Sequence, residues 1–248
     1  MELLFLGTGT STGVPQIGCN CRTCTSSNIK NKRLRASVLI TNGLTRIMID
    51  CGPDLRQQLI SNKIYKLTGI LLTHDHYDHV GGLDDVRPLG EAQLYAEKRV
   101  IHVVKRNMPY CFGDNRYPGV PTIHLHEIDE NPFEIENTTI QPIRIMHAKL
   151  PILGFRINNI AYLTDVKTID DKAIEQLQNL DVLVLNALRI NEHISHLSLS
   201  EALEIAAKIA AKKTYFTHIS HDLGLHDEIN DILPNNIQLA YDGMIINS

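Results

Sequence analysis

The 248-residue sequence has no apolar run long enough to cross a membrane, and no basic stretch ahead of a short apolar core of the kind that directs secretion. Met1-Glu2-Leu3-Leu4-Phe5-Leu6 therefore reads as a first β-strand, and the protein is expected in the cytoplasm with no membrane partner. An excess of positive charge is also missing: 24 Lys and Arg against 28 Asp and Glu leave a net charge of -4. That disfavours a chain gripping nucleic acid by bulk electrostatics. Five cysteines, three of them packed together, are not a disulfide framework in a chain this long. No internal repeat, linker or low-complexity stretch is visible. With 43% hydrophobic residues the chain can bury one substantial core, so residues 1–248 are expected to form one layered α/β domain.

What the sequence does have is histidine, twelve in all, and three of them stand in one hexapeptide. His74-Asp75-His76-Tyr77-Asp78-His79 follows the apolar β-like run Gly69 to Leu72. Three imidazoles and two carboxylates in six residues are hard to pack unless a cation neutralises them, and this donor set suits Zn²⁺, Mn²⁺ or Fe²⁺. Side chains at i and i+2 of an extended stretch point the same way. His74 and His76 can therefore share one ion, while Asp78 and His79, past a turn, can reach a second.

Further candidates lie at strand ends downstream. His147 closes the strand Thr139 to Met146, Asp165 follows Ile160 to Thr164, and His218 and His221 follow Lys213 to Thr217. His196 precedes Ser198 and Glu201, an S-x-x-E capping box for an alanine-rich helix running to about Ala211. His124 and His126 alternate on a likely strand and are weak candidates. Cys19, Cys21 and Cys24 could give three thiolates to one tetrahedral Zn²⁺, with a fourth ligand from elsewhere.

Other stretches stay open between readings. Gly7-Thr8-Gly9-Thr10-Ser11-Thr12-Gly13 could turn free N–H groups to an anion or simply turn the chain. Lys30, Lys32, Arg33 and Arg35 read as a solvated basic face, or else as an anion-steering rim. Residues 108–119 read as a lid, a dimer contact or a packed loop.

The H-x-H-x-D-H spacing resembles the metallo-β-lactamase superfamily. That resemblance implies an αββα sandwich, two mixed sheets face to face covered by helices, with metals at one edge and hydrolysis as the usual activity. It further implies a first ion on His74, His76 and His147, a second on Asp78, His79 and His218, Asp165 bridging, and Asp50 orienting a ligand by a hydrogen bond. The Gly-Thr-Gly loop, the cysteine cluster and Thr217-His218-Ile219-Ser220-His221 are similar to the PhnP family of cyclic phosphodiesterases. From that similarity His221 completes a structural zinc site with Cys19, Cys21 and Cys24, and the catalytic residues are His196, as general acid, and Asp78, which also binds the second ion.

The expected function is hydrolysis of a cyclic or small phosphodiester, resembling a phosphoribosyl 1,2-cyclic phosphate, by a metal-bridged hydroxide. The cofactors are two Zn or Mn ions and one structural Zn, the partner is a small phosphodiester, and a homodimer is implied. A tRNase Z-like nuclease, a carboxyl hydrolase (lactonase or thioesterase) and a non-catalytic PqqB-like protein are the alternatives. Of these, the nuclease would carry a basic arm that is not visible here.

Overall fold

The computed structural model describes residues 1–113 and 117–248. Among them, two seven-stranded sheets lie face to face. In the first, β1 (Glu2–Gly7), β2 (Ser37–Asn42) and β3 (Thr45–Ile49) form an antiparallel meander, and β14 (Ile245–Asn247) pairs with the free side of β1. Parallel strands β4 (Gly69–Leu71), β5 (Glu91–Ala96) and β6 (Thr122–Glu127) continue it. The second sheet repeats the plan. Antiparallel β7 (Phe133–Ile135), β8 (Thr138–His147), β9 (Leu150–Ile157) and β10 (Ile160–Leu163) lead into parallel β11 (Val182–Asn186), β12 (Lys213–Thr217) and β13 (Ile237–Leu239).

Strand periodicity sorts the apolar residues into three layers. In β1, Leu3 and Phe5 face the second sheet and meet Phe155, Tyr162 and Tyr215, whereas Leu4 and Leu6 face the helices. Helices Leu55–Ser61 and Lys98–Asn107 cover the outside of the first sheet, and Asp171–Gln176 and Leu199–Ile209 cover the second. This is the expected αββα sandwich of mixed sheets. The S-x-x-E signal is realised as a full capping box: Ser198 N–H donates to Glu201 Oε2 at 2.8 Å, and Glu201 N–H returns to Ser198 Oγ at 3.4 Å.

Five strands deliver site residues from one edge. Asp50 follows β3, His74 follows β4, His147 ends β8, Asp165 follows β10 and His218 follows β12. Three of these sit in the left-handed region, with φ of 62° at Asp50, 58° at Asp165 and 54° at His218. Asp and His tolerate that region better than most side chains, but it still costs about 1–2 kcal/mol per residue. The kink stops each strand abruptly and turns the side chain across the sheet edge.

The Gly-Thr-Gly loop joins elements distant in sequence. Three of its N–H groups are taken: Gly9 donates to Leu34 O (2.7 Å), Thr10 to Ile219 O (3.0 Å) and Gly13 to Thr10 O (2.8 Å). Glycine is required by contact, since a Cβ on Gly7 would lie 2.0 Å from Arg35 O. Of the basic run, Lys30, Lys32 and Arg35 are partly exposed, but Arg33 does not belong to a solvated face. Arg33 is buried, donating to Thr8 Oγ1 (2.7 Å), Ala240 O (2.6 Å) and His226 Nδ1 (3.1 Å). In the stretch 108–119, Pro109–Phe112 is a helical turn whose Cys111 is packed in the core; residues 114–116 lie outside the described residues.

No helix of the described residues is long and apolar enough to cross a membrane.

Candidate metal centre

The seven imidazoles and carboxylates at the sheet edge converge. Ligand atoms of His74, His76 and His147 lie within 4.8 Å of one another, as do those of Asp78, His79 and His218, and those of Asp165 with His74 and His79. Asp165 is central: one oxygen is 3.2 Å from His79 Nε2 and the other 3.3 Å from His218 Nε2. His74, His79, His147, Asp165 and His218 are buried, whereas His76 is exposed and Asp78 half-buried, so the cluster opens on the side of the short helix Tyr77–Val80.

Hydrogen bonds set which nitrogen each ring presents. His79 Nδ1–H donates to Asp50 Oδ2 at 2.7 Å. His74 Nδ1–H donates to Thr73 Oγ1 at 2.9 Å, and that hydroxyl donates to Asp50 at 2.9 Å. Thr73 N–H donates to Asp50 Oδ1 at 2.9 Å, so one fully buried carboxylate orients two imidazoles, one directly and one through a hydroxyl. His147 Nδ1–H donates to Ser195 O at 2.8 Å. His218 has no such partner; its backbone is held instead, Ile219 N–H donating to Thr8 O at 2.9 Å. Asp75, the remaining carboxylate of the hexapeptide, turns away and pairs with Arg99 on the helix Lys98–Asn107.

The nitrogens left over point inward without partners. Among the described residues, Nε2 of His74, Nε2 of His79 and both nitrogens of His218 are buried with no hydrogen bond. Unsatisfied buried nitrogens are costly, and here they surround carboxylate oxygens, as a divalent-cation site requires. The electrostatics agree. Burial pushes Asp165 up, but His218 and His79 overrule it and hold the carboxyl well below its ordinary range. His79 is opposed by burial, yet Asp165, Asp50 and Asp78 hold its proton well above the usual imidazole range. In the ligand-free protein the three carboxylates thus hold a proton on His79, which a divalent ion would displace.

His196 stands beside the seven. Its ring is 4.7 Å from that of His147 and 4.8 Å from that of His218, and its buried, unpartnered Nδ1 lies 3.6 Å from Asp165 Oδ1. Burial first and His218 second push its pKa down to about 3, so the ring is neutral in the ligand-free protein. The ring of His193 lies 5.2 Å beyond it, tilted by 37°. His124 and His126 are elsewhere, paired with Glu91 and Gln93 on the neighbouring strand.

The second cluster lies behind His218. His221 Nδ1 is 3.3 Å from Cys19 Sγ and 3.4 Å from Cys21 Sγ, and Cys24 completes a set within 4.8 Å. Backbone N–H groups donate to sulfur, Cys24 N–H to Cys21 and Gln16 N–H to Cys24, each at 3.4 Å. The first of these, with His221, draws the Cys21 thiol down to about 6. Three sulfurs and one nitrogen at these separations suit a closed tetrahedral Zn²⁺.

A profile of the β-lactamase superfamily domain matches residues 45–219. The chain belongs to the metallo-β-lactamase superfamily, a family of hydrolases, and its His/Asp clusters are candidate metal sites of that fold. Within the superfamily its likeness is to the PhnP family. The crystal structure of a diphosphatase from that family is 40% identical, with a TM-score of 0.93, covering 100% of this chain and 97% of the other. Zn²⁺-bound PqqB from Methylobacterium extorquens shares the fold at a TM-score of 0.84 and 18% identity, each chain fully covered. An octanoyltransferase from Porphyromonas gingivalis is 44% identical over 98% of this chain but only 51% of its own length, so the present chain spans about half of that relative.

Proposed function

We propose that the protein is a dinuclear metal-dependent hydrolase of phosphoryl diesters, acting on a small phosphodiester, cyclic or open, or on a diphosphate. His74, His76 and His147 would hold one divalent ion and Asp78, His79 and His218 the other, with Asp165 between them. Bound there, the ions supply Lewis acidity, drawing the pKa of a water toward about 7 and neutralising charge on the phosphoryl group. Everything else falls to the chain. Asp50, directly and through Thr73, and Ser195 O engage Nδ1 of His79, His74 and His147, so that Nε2 is the atom each ring would present to an ion.

The observation that carries the phosphoryl reading is His196. It is an eighth group at the cluster, half-buried, and its buried Nδ1 lies 3.6 Å from the central carboxylate. An alkoxide leaving group needs a proton; the ligand-free ring is neutral, so His196 can give one only once the negative charge of a bound phosphoryl group has raised its pKa, and a positioned imidazole acid is worth a factor of about 100 to 10,000. A carboxyl hydrolase has less need of it. The PhnP-family diphosphatase supports the same bond class. Acyl transfer, the activity in the octanoyltransferase's name, finds no nucleophile at Cys51, which is fully buried with its thiol pushed well up by that burial.

The test is turnover of bis(p-nitrophenyl) phosphate and of a ribose cyclic phosphate with added Mn²⁺ or Zn²⁺, comparing wild type with His196→Ala. Activity should collapse most for the poor alkoxide leaving group while the two ions of the His/Asp cluster are retained. His196 can also approach a cation together with His147 and Asp165. Loss of an ion in the variant would therefore make it a ligand rather than an acid, and full activity would favour a carboxyl hydrolase.

A further inference from the structure

The connection from β11 to the helix Leu199–Ile209 is pinned at both ends. Leu188 N–H donates to Leu197 O and Leu197 N–H to Val166 O, each at 2.9 Å. Arg189 folds back onto the carbonyls of Asn191 (3.2 Å) and Glu192 (2.7 Å). Within this fixed loop, Ser195 serves two imidazoles in opposite senses. Its carbonyl accepts from His147, whereas its own N–H (3.3 Å) and hydroxyl (3.2 Å) both reach Nδ1 of His193.

A backbone N–H can only donate. Nδ1 of His193 is therefore the acceptor, and the proton of the neutral ring is fixed on Nε2. That Nε2–H has no hydrogen-bond partner among the described residues. The ring is half-buried, 5.2 Å from that of His196, with the charges of Arg189 and Lys167 near it. An oriented donor with cationic neighbours thus stands one imidazole beyond the proposed acid.

We infer that His193 is a specificity-determining residue: its Nε2–H binds a second phosphoryl group within the leaving portion of the substrate, favouring diphosphate diesters over simple phosphodiesters. The inference rests on the phosphoryl-hydrolase reading above. In the step it serves, the bond from the reacting phosphorus to the bridging oxygen breaks and that oxygen leaves with the second phosphoryl group. Water supplies the new oxygen, and its protons are divided between the two monoester products. A p-nitrophenolate leaving group offers no phosphoryl oxygen to that donor.

The experiment compares diphenyl diphosphate with bis(p-nitrophenyl) phosphate on metal-loaded wild type, His193→Ala and His193→Gln, with metal content measured for each. His193→Ala should raise KM for the diphosphate about tenfold or more, as loss of one hydrogen bond to a charged group does. Its kcat on that substrate, both constants on the phosphodiester and its metal content should stay within about twofold. His193→Gln places an amide N–H near the position of Nε2 and should restore most of the lost KM. An unchanged KM for the diphosphate, or equal losses on both substrates, overturns the inference while leaving the hydrolase reading intact. A fully metallated wild type that turns over neither substrate overturns both.

Discussion

Replacing Asp50 by Asn isolates the electrostatic work of a single carboxylate. The residue is fully buried with φ of 62°, and Asn is the other side chain that tolerates this region well, so the backbone is left alone. Three donors converge on the carboxylate: Thr73 N–H, Thr73 O–H and His79 Nδ1–H. An amide cannot serve them all. If its oxygen stays toward Thr73, its NH₂ faces His79 Nδ1, which must then accept, and the imidazole proton moves to Nε2, the atom that must bind metal. If the amide flips, Thr73 N–H is left unsatisfied in a dry core at about 1–3 kcal/mol. Either route weakens the site, and loss of a ligand-orienting partner typically lowers metal affinity about 10- to 100-fold, or about 1.4–2.7 kcal/mol. Competition titration with a chromophoric chelator, on metal-free protein shown by circular dichroism to be folded, reads the effect directly. Affinity for both ions within about twofold of wild type would refute the argument that Asp50 sets the tautomer of His79.

Four further outcomes are expected. Asp165→Asn, again tolerated at positive φ, should abolish activity and reduce metal content together; an active variant with full metal content contradicts the central role of that carboxylate. Cys21→Ala should lose one zinc per chain and lower the melting temperature while the His/Asp cluster still binds its ions, as metal content against thermal melting will show. Gly7→Ala drives a Cβ to 2.0 Å from Arg35 O and should destabilise by about 2–3 kcal/mol in urea unfolding, near the top of the range for overpacking. His226 is pushed down to about 4 by burial and by Arg33, so its contribution to stability is complete above about pH 6.5 and is lost as pH falls toward 4. The stability gap between wild type and His226→Asn should therefore widen from pH 4 to 6.5 and stay level above, and a gap independent of pH would count against a neutral buried His226.

The candidate site was legible because its residues follow apolar strands, so that spacing and position coincide. His74, His147, Asp165 and His218 each end a run that reads as β from its apolar pattern alone. What spacing does not reveal is the conformation that aims them. The left-handed φ of Asp50, Asp165 and His218 is a backbone property with no pattern of its own beyond the identity of Asp and His. Ser195 is invisible for a similar reason, because the group that orients His147 is a carbonyl that every residue has.

Strand β9 is missed because Pro151 and Gly154 break its pattern. Gly154 is required by a close approach, a Cβ there falling 2.3 Å from Leu163 Cδ2. Arg33 misleads in the opposite direction. A charged residue in a basic run reads as surface, and only a long-range partner such as Ala240 O tells that it is core.

The thiolate cluster joins distant parts of the chain, and that distance has a consequence for how the protein is made. Cys21 and His221 touch across 200 residues of sequence. At synthesis rates of roughly 5–20 residues per second, the imidazole follows the thiolates out of the ribosome by roughly 10–40 s. For that interval the nascent chain presents three sulfurs with no His221 beside them. Oxidants and adventitious soft metals therefore compete for the half-made protein on terms the finished one never offers, and damage at this site would appear as a falling yield of new molecules rather than as inactivation of old ones.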